Sequence, residues 1–388
     1  MSEEARAAAA IGRKQPGNGK CYRGPMLGAI SLLIWLYLLL AHGRFWLSRP
    51  ELRPAVPVEL PDVDVIVPAR DEVTTIAAVI ESLLAQDYAG NFRVTLVDDN
   101  STDGTAAAVR PAQRFRVIAG QPKPAGWSGK LWALAQGVAA STAPVLLFTD
   151  ADIVHDRRHL ASLVARLTQP RLAMVSEMVR LNCASLAERA LVPAFVYFFQ
   201  MLYPFARVND PRSSVAAAAG GTVLIRREAL EGIGGIEAIK DALIDDVTLA
   251  RAVKKAGPVY LGHSQLATSV RPYPFFRDIW RMVARTAFTQ LHYSALMLLL
   301  TLAGLTLVWL VPPGEALFGH GWGRASGLVA CALAATTYLP TLARYGRNRL
   351  WALALPLIAL FYMGATLGSA MNYWLGKGAS WKNRAYGS

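Results

Sequence analysis

The chain has 388 residues, of which 53% are hydrophobic, and a formal net charge of +13. That length holds one sizeable α/β domain plus a smaller region, and the apolar content is high for a purely soluble enzyme. The basic residues cluster beside apolar segments, which points to anionic headgroups and away from nucleic acid, and Cys21, Cys183 and Cys331 form neither a disulfide framework nor a C-x-x-C zinc site.

A basic leader (residues 1–25) precedes an apolar run from Met26 to Ala41. No small-x-small cleavage site follows that run. His42-Gly43-Arg44-Phe45-Trp46 follows instead, with rings suited to a membrane interface, so residues 26–47 read as an uncleaved anchor. From about residue 62 to 262 the pattern changes. Val63–Pro68, Phe92–Val97, Phe115–Ala119 and Val145–Thr149 read as buried strands, and Val73–Gln86, Lys130–Ala140 and His159–Leu167 as helices between them. Alternating βαβ units predict a mostly parallel, Rossmann-like sheet that places its ligand at the carboxyl ends of its strands.

Residues 263–291 are aromatic and basic and read as an interfacial amphipathic region. Within 294–371, about three apolar runs are candidate transmembrane helices (Ser294–Val311, Gly327–Ala343 and Leu350–Met371), the middle one marginal, and 372–388 form a tail. The compact basic loop Arg344–Arg349 belongs in the cytosol by the positive-inside rule, and counting spans puts the main domain there too. The same count places the leader outside, against the rule. Either the first segment is a hairpin or interfacial helix, or the main domain overrides the leader.

Chemistry-bearing residues sit at the predicted strand ends. Val67-Pro68-Ala69-Arg70-Asp71-Glu72 closes the first strand; here Asp71 also reads simply as a helix cap. Asp98-Asp99-Asn100-Ser101-Thr102-Asp103 closes the second, and its adjacent carboxylates suit hydrogen bonding to a base or ribose. Thr149-Asp150-Ala151-Asp152 closes the fourth. In an extended chain, residues two apart share a side, so Asp150 and Asp152 can converge on one cation, with oxygen ligands favouring Mg2+ or Mn2+. Asp245-Asp246 opens a helix, as capping residues or as a general base with its neighbour. A carboxylate there is expected to be ionised at neutral pH. Gly220-Gly221 precedes a strand-like Thr222–Ile225 and permits close approach of a ligand or merely a bend.

Taken in order, these strings, with Gly129-Lys130 and Gly-Gly-Thr-Val-Leu-Ile-Arg-Arg-Glu-Ala-Leu, resemble family-2 glycosyltransferases of GT-A fold over about Val63 to Gly262. The stretches Ala194–Ala206 and Asp278–Phe288, with the anchor and C-terminal spans, are most similar to the hopanoid-biosynthesis-associated glycosyltransferases of bacteria. The resemblance implies that Pro68, Ala69, Glu72 and Asp99 hold the uridine of the donor. It places Lys130 near the donor, makes Asp152 with Asp150 the metal–diphosphate site, and makes Asp246 the base with Asp245 beside it. The Q-x-x-R-W element of processive members is replaced by Met282-Val-Ala-Arg285-Thr286. Arg281 and Arg285 are still expected to reach the diphosphate, and transfer of a single sugar is favoured over polymer synthesis.

The implied protein is an inverting, multi-pass enzyme of the bacterial cytoplasmic membrane, with its catalytic domain facing the cytosol. It would use a nucleotide-sugar donor, UDP-linked by this reading, and Mg2+ or Mn2+. Its acceptor would be a lipid, a hopanoid or polyprenyl phosphate, and its partners membrane lipids and lipid-biosynthesis enzymes but no nucleic acid. The competing reading is a catalytically silent nucleotide-sugar-binding scaffold; retention of both Asp152 and Asp246 argues against it. A dinucleotide-dependent oxidoreductase is set aside because no G-x-G-x-x-G follows the first strand.

Overall fold

The computed structural model describes residues 23–376 and two short strands, Ser380–Trp381 and Arg384–Ala385. Cys21, nearly all of the basic leader and most of the tail lie outside the described residues. Eight strands form one sheet in the order β3-β2-β1-β4-β7-β6-β8-β5. They are β1 Val63–Ala69, β2 Phe92–Asp98, β3 Phe115–Ala119, β4 Val145–Thr149, β5 Ile153–His155, β6 Met174–Arg180, β7 Thr222–Arg226 and β8 Val259–Ser269. β1 pairs in parallel with β2 and β4, β2 with β3, and β6 with β8. β7 inserts antiparallel between β4 and β6, and β5 runs antiparallel to β8. The sheet is therefore mostly parallel, the α/β GT-A architecture.

Parallel strands covered on both faces are nearly continuous apolar runs. Every residue of β1 and of β4 is buried. Helices α2 (Ile76–Leu84), α3 (Gly129–Ala139) and α4 (His159–Thr168) cover them. α3 lies so close that a Cβ at Gly137 would stand 2.4 Å from Ile66 Cγ2, so glycine is what permits this helix–sheet distance. The remaining helices used below are α5 (Leu186–Leu202), α6 (Asp245–Ala256) and α7 (Phe276–Gln290).

The first apolar segment is one unbroken helix, α1 (Arg23–Leu40), which excludes a hairpin. Trp35 is fully buried against Trp309 and donates its indole N–H to the Val308 carbonyl at 2.9 Å. That carbonyl lies in a π-helical turn, Thr306–Leu310, whose register shift leaves main-chain acceptors available. Among the described residues, three helices are long and apolar enough to cross a membrane: Ala295–Phe318, Gly321–Arg344 and Arg349–Trp374, of 24, 24 and 26 residues. The middle one, expected to be marginal, has ample length.

α1 runs parallel to Gly321–Arg344. Gly28 seats beside Ser326 and Gly323 at one end, and Arg344 reaches the Ser48 carbonyl and Glu51 at the other. The loop after Arg344 is thereby held on the side of the sheet domain, where Tyr345 also accepts the Leu181 N–H. The aromatic string in α5 is buried or half-buried. Tyr197 packs on Phe45, Trp309 and Tyr338 because α5 is the layer between the sheet domain and the apolar helices. α7 lies along the last helix, with Trp280 seated over Gly364 and Gly368 and Phe288 against Tyr373 and Trp374.

Candidate active site

The loops after β1 and β2 are laced together by their own polar side chains. Asp71 and Asn100 take left-handed backbone conformations, which short polar residues tolerate. The Asp71 carboxylate accepts the Thr102 N–H at 2.9 Å, and Asp103 accepts the N–H of Val73 at 3.0 Å and of Thr105 at 2.9 Å. The helix that follows starts only at Ile76, so Asp71 is not its cap: it bridges two loops instead. Asp98, read as free for a ligand, accepts the Ser101 N–H and hydroxyl in a local turn.

This lacing brings Pro68, Ala69, Glu72 and Asp99 together at the ends of β1 and β2. The Asp99 N–H donates to the Ala69 carbonyl at 2.8 Å, and the fully buried Asp99 carboxylate faces Arg70 at 3.7 Å. Glu72 is buried, its N–H donating to Thr105 Oγ1 at 2.8 Å.

Strand β4 ends at Thr149. Asp150-Ala151-Asp152 is a turn rather than extended chain, because the backbone must reverse into β5, and the Ile153 N–H donates to the Asp150 carbonyl at 3.2 Å. The two carboxylates consequently meet different cations. Lys130, from the first turn of α3, stands 2.9 Å from Asp150 and 3.1 Å from Asp245. Arg271, just past β8, donates to Asp152 at 2.5 Å and to Glu72 at 2.5 Å. Burial works against the Lys130 charge, but Asp150 and Asp245 outweigh it and hold its pKa well above the usual lysine value. Burial raises the Asp150 carboxyl, Lys130 opposes that, and the nearby Asp152 charge adds to it.

Asp245 and Asp246 open α6, as expected from the sequence, and Val247, Ala250 and Val253 anchor that helix in the core. Asp246 accepts the Val247 N–H at 2.8 Å. A Cβ at Gly220 would sit 3.2 Å from Asp246 Oδ2, so the absence of a side chain there gives the carboxylate its room. The expectation of a fully ionised Asp246 is corrected. Burial, then the charge of Asp245, pushes its pKa up to about 7 against the pull of Lys130, outweighing the helix terminus. Pro68, Lys130, Asp150, Gly220, Asp245 and Asp246 line one cleft of about 380 Å³ including its open mouth, floored by Leu134 and Phe148.

Arg281 and Arg285 lie exposed on α7 and form no ion pair with a carboxylate among the described residues. The Arg285 charge is nonetheless felt at Tyr273, whose hydroxyl is raised by burial while Arg271 and Arg285 pull it down and Asp152 and Asp150 push it up. Glu188, in the capping box of α5, accepts the Tyr273 N–H at 2.6 Å and so ties the approach to α7 to the site. Sequence reasoning missed Arg271 because it missed β8, whose Gly262-His263-Ser264-Gln265 interrupts the apolar pattern. Once that strand is known, a basic residue at its carboxyl end is an obvious candidate.

For a divalent metal, the donor set fits in kind: two carboxylates at a strand end, already neutralised by protein cations. Among the described residues no group of three or more His, Cys, Asp or Glu gathers to hold an ion, so further ligands would come from the diphosphate.

The fold and the cleft define a GT-A domain joined to apolar helices. The mannosyltransferase PcManGT from Pyrobaculum calidifontis, solved with GDP-Man and Mn2+, shares the fold at a TM-score of 0.55 and 22% identity, over 91% of this chain and 99% of that one. A sequence model of glycosyl transferase family 2 matches residues 64–234. An N-acetylglucosaminyltransferase of Bradyrhizobium elkanii is 31% identical over 132 residues, 32% of this chain and 70% of that protein. The chain belongs to glycosyl transferase family 2. A beta-monoglucosyldiacylglycerol synthase of Nostoc sp. is 23% identical over 267 residues, 63% of this chain and 56% of that protein. The chain thus spans little more than half the length of such curated relatives.

Proposed function

We propose that this protein is a membrane-bound inverting glycosyltransferase that moves one sugar from a nucleotide donor to a lipid hydroxyl or phosphate. The observation that carries this reading is the single cleft in which Lys130 links Asp150 of the donor side to Asp245 beside Asp246. The glycolipid named in the Nostoc relative and the three long apolar helices support a lipid acceptor.

In this reading Pro68, Ala69, Glu72 and Asp99 hold a uridine, and Arg271 keeps Glu72 and Asp152 neutralised until a donor arrives. Asp150 and Asp152 would hold Mg2+ or Mn2+, which supplies charge stabilisation to the departing nucleoside diphosphate. With a hydroxyl acceptor Asp246 takes its proton as the oxygen attacks the anomeric carbon, whereas a phosphate oxygen attacks as the anion it already is; in both cases the sugar–phosphate bond breaks on the opposite face, inverting the centre. Lys130 stays with Asp150 and Asp245 and balances the charge that develops between them. Arg285, whose charge is felt at Tyr273, would meet the diphosphate, with Arg281 one turn away. A hopanoid or polyprenyl phosphate is the acceptor we favour, in the cytoplasmic membrane of a bacterium. Radiolabelled UDP-sugars incubated with the purified protein and a bacterial lipid extract test it; absence of labelled lipid with every donor would overturn the reading.

Since the base titrates near neutrality, kcat/KM should rise with pH through about 7, falling roughly tenfold one unit below that midpoint. A profile flat from pH 5.5 to 8.5 would remove Asp246 from the rate equation.

The Arg344–Arg349 loop sits against the sheet domain, so both should share the cytosol. Gly346 has a positive φ and is a poor probe position, whereas Arg349 is exposed. Arg349→Cys should gain no labelling by an impermeant thiol reagent in intact cells and become labelled on lysis. Labelling before lysis would reverse the orientation.

A further inference from the structure

Beneath the cleft lies a buried polar chain that the transfer chemistry does not use. Glu177 on β6, His159 at the start of α4 and His155 at the end of β5 are all buried, as is Thr149 at the end of β4. A Glu177 oxygen meets His159 Nε2, and His159 Nδ1 lies 2.9 Å from His155 Nδ1, the two rings being stacked. His155 Nε2 lies 3.2 Å from Thr149 Oγ1, which is 3.0 Å from the Gly221 carbonyl.

Counting hydrogens orients the chain. The four contacts in line need four hydrogens, and neutral Thr149, His155 and His159 bring one each. The fourth sits on Glu177 or on His159, because burial and then the neighbouring His159 hold the His155 imidazole well below the usual histidine range and keep it neutral. With it on either, His159 Nδ1 donates to His155, His155 Nε2 donates to Thr149, and the Thr149 hydroxyl donates to Gly221. Without it, two acceptors face each other somewhere along the line.

Such a chain is a costly way to fill a core. The second oxygen of Glu177 has no partner among the described residues, and apolar side chains of similar volume would pack there without the desolvation of a carboxylate. What the chain holds is specific. The Gly221 carbonyl also accepts the Asp150 N–H at 3.2 Å, and the adjoining Gly220 abuts Asp246.

We propose that Glu177, His159, His155 and Thr149 are positioning residues that lock the Gly220–Gly221 turn, and through it set Asp150 and Asp246 at their working separation. The inference rests on the glycosyl-transfer reading for its kinetic consequence but not for its structural one. Three full-length variants test it. His155→Phe keeps a stacking ring and cuts the chain in the middle. Thr149→Val cuts the last link with a residue of the same shape, and covers the case in which His155→Phe does not fold. Glu177→Gln can donate an amide hydrogen to His159 and so restore the fourth hydrogen.

Hydrogen exchange followed by mass spectrometry should show the Asp150 amide exchanging at least about tenfold faster in the two cutting variants, with core strand β1 unchanged. Turnover with donor and lipid should fall about 10- to 100-fold in both while donor KM moves less than about threefold, as expected for displaced groups in an otherwise intact site. Glu177→Gln should stay within about threefold of wild type in both measurements. Unchanged exchange at Asp150 in the cutting variants overturns the proposal, as does a Glu177→Gln protein as impaired as they are. If the wild-type protein transfers no sugar, the glycosyl-transfer reading fails and the exchange measurement alone decides this one.

Discussion

Asp246→Asn should bind a nucleotide sugar within about threefold of wild type and turn over about 10²–10⁴-fold more slowly, the usual loss when a general base is removed. The substitution keeps shape. Its amide oxygen can still accept the Val247 N–H, now at 2.8 Å, and the neutral side chain fits the space left by Gly220. A proton acceptor is lost and nothing else need move. The raised pKa of Asp246 sharpens the expectation, since a carboxyl poised at about 7 combines useful basicity with a substantial ionised fraction in the cell. Calorimetry of donor binding and release of nucleoside diphosphate with a competent lipid measure the two halves. A silent nucleotide-sugar-binding scaffold would turn over in neither protein. Near wild-type turnover in Asp246→Asn would move the base elsewhere, with Asp245, now paired to Lys130, the first candidate.

Asp152→Ala should lower turnover by about 10²–10³-fold or more, and excess EDTA should do the same to the wild-type protein, with recovery on adding Mn2+. Asp152 is buried, and among the described residues its cationic partner is Arg271, which it shares with Glu72. Deleting it leaves the Arg271 guanidinium with one carboxylate and takes away the innermost oxygen ligand available to an ion at this strand end. The two arms separate the explanations. Loss in Asp152→Ala together with full activity in EDTA would assign Asp152 to holding Arg271 and dispense with the metal. Full activity in both would discard the site at the end of β4.

Much of the fold was legible because it rests on local composition. The runs Val65–Ala69 and Val145–Phe148 are apolar without interruption, as a strand buried on both faces requires, and polar or turn residues follow each at once. The apolar spans were legible for the same reason. What the sequence could not supply was partnership. Arg271 and Glu72 are 199 positions apart and meet only because β8 and β1 end at the same edge of the sheet. Strands β6 and β8 were hidden because Glu177, His263 and Ser264 break the apolar pattern, and their polar atoms become tolerable only when other elements bring partners. Asp150-Ala151-Asp152 looked like extended chain until the pairing of β5 with β8 forced it to turn. The local signal at Asp246, a carboxylate at a helix start, argued for ionisation, whereas burial and the neighbouring Asp245 carried it the other way. The sequence by itself determined which residue types stand at strand ends, because periodicity and turn chemistry are properties of neighbours along the chain. Only the tertiary structure decided which of those charges meet, how dry each is and hence which proton each holds, because desolvation and pairing act through space between segments far apart in sequence.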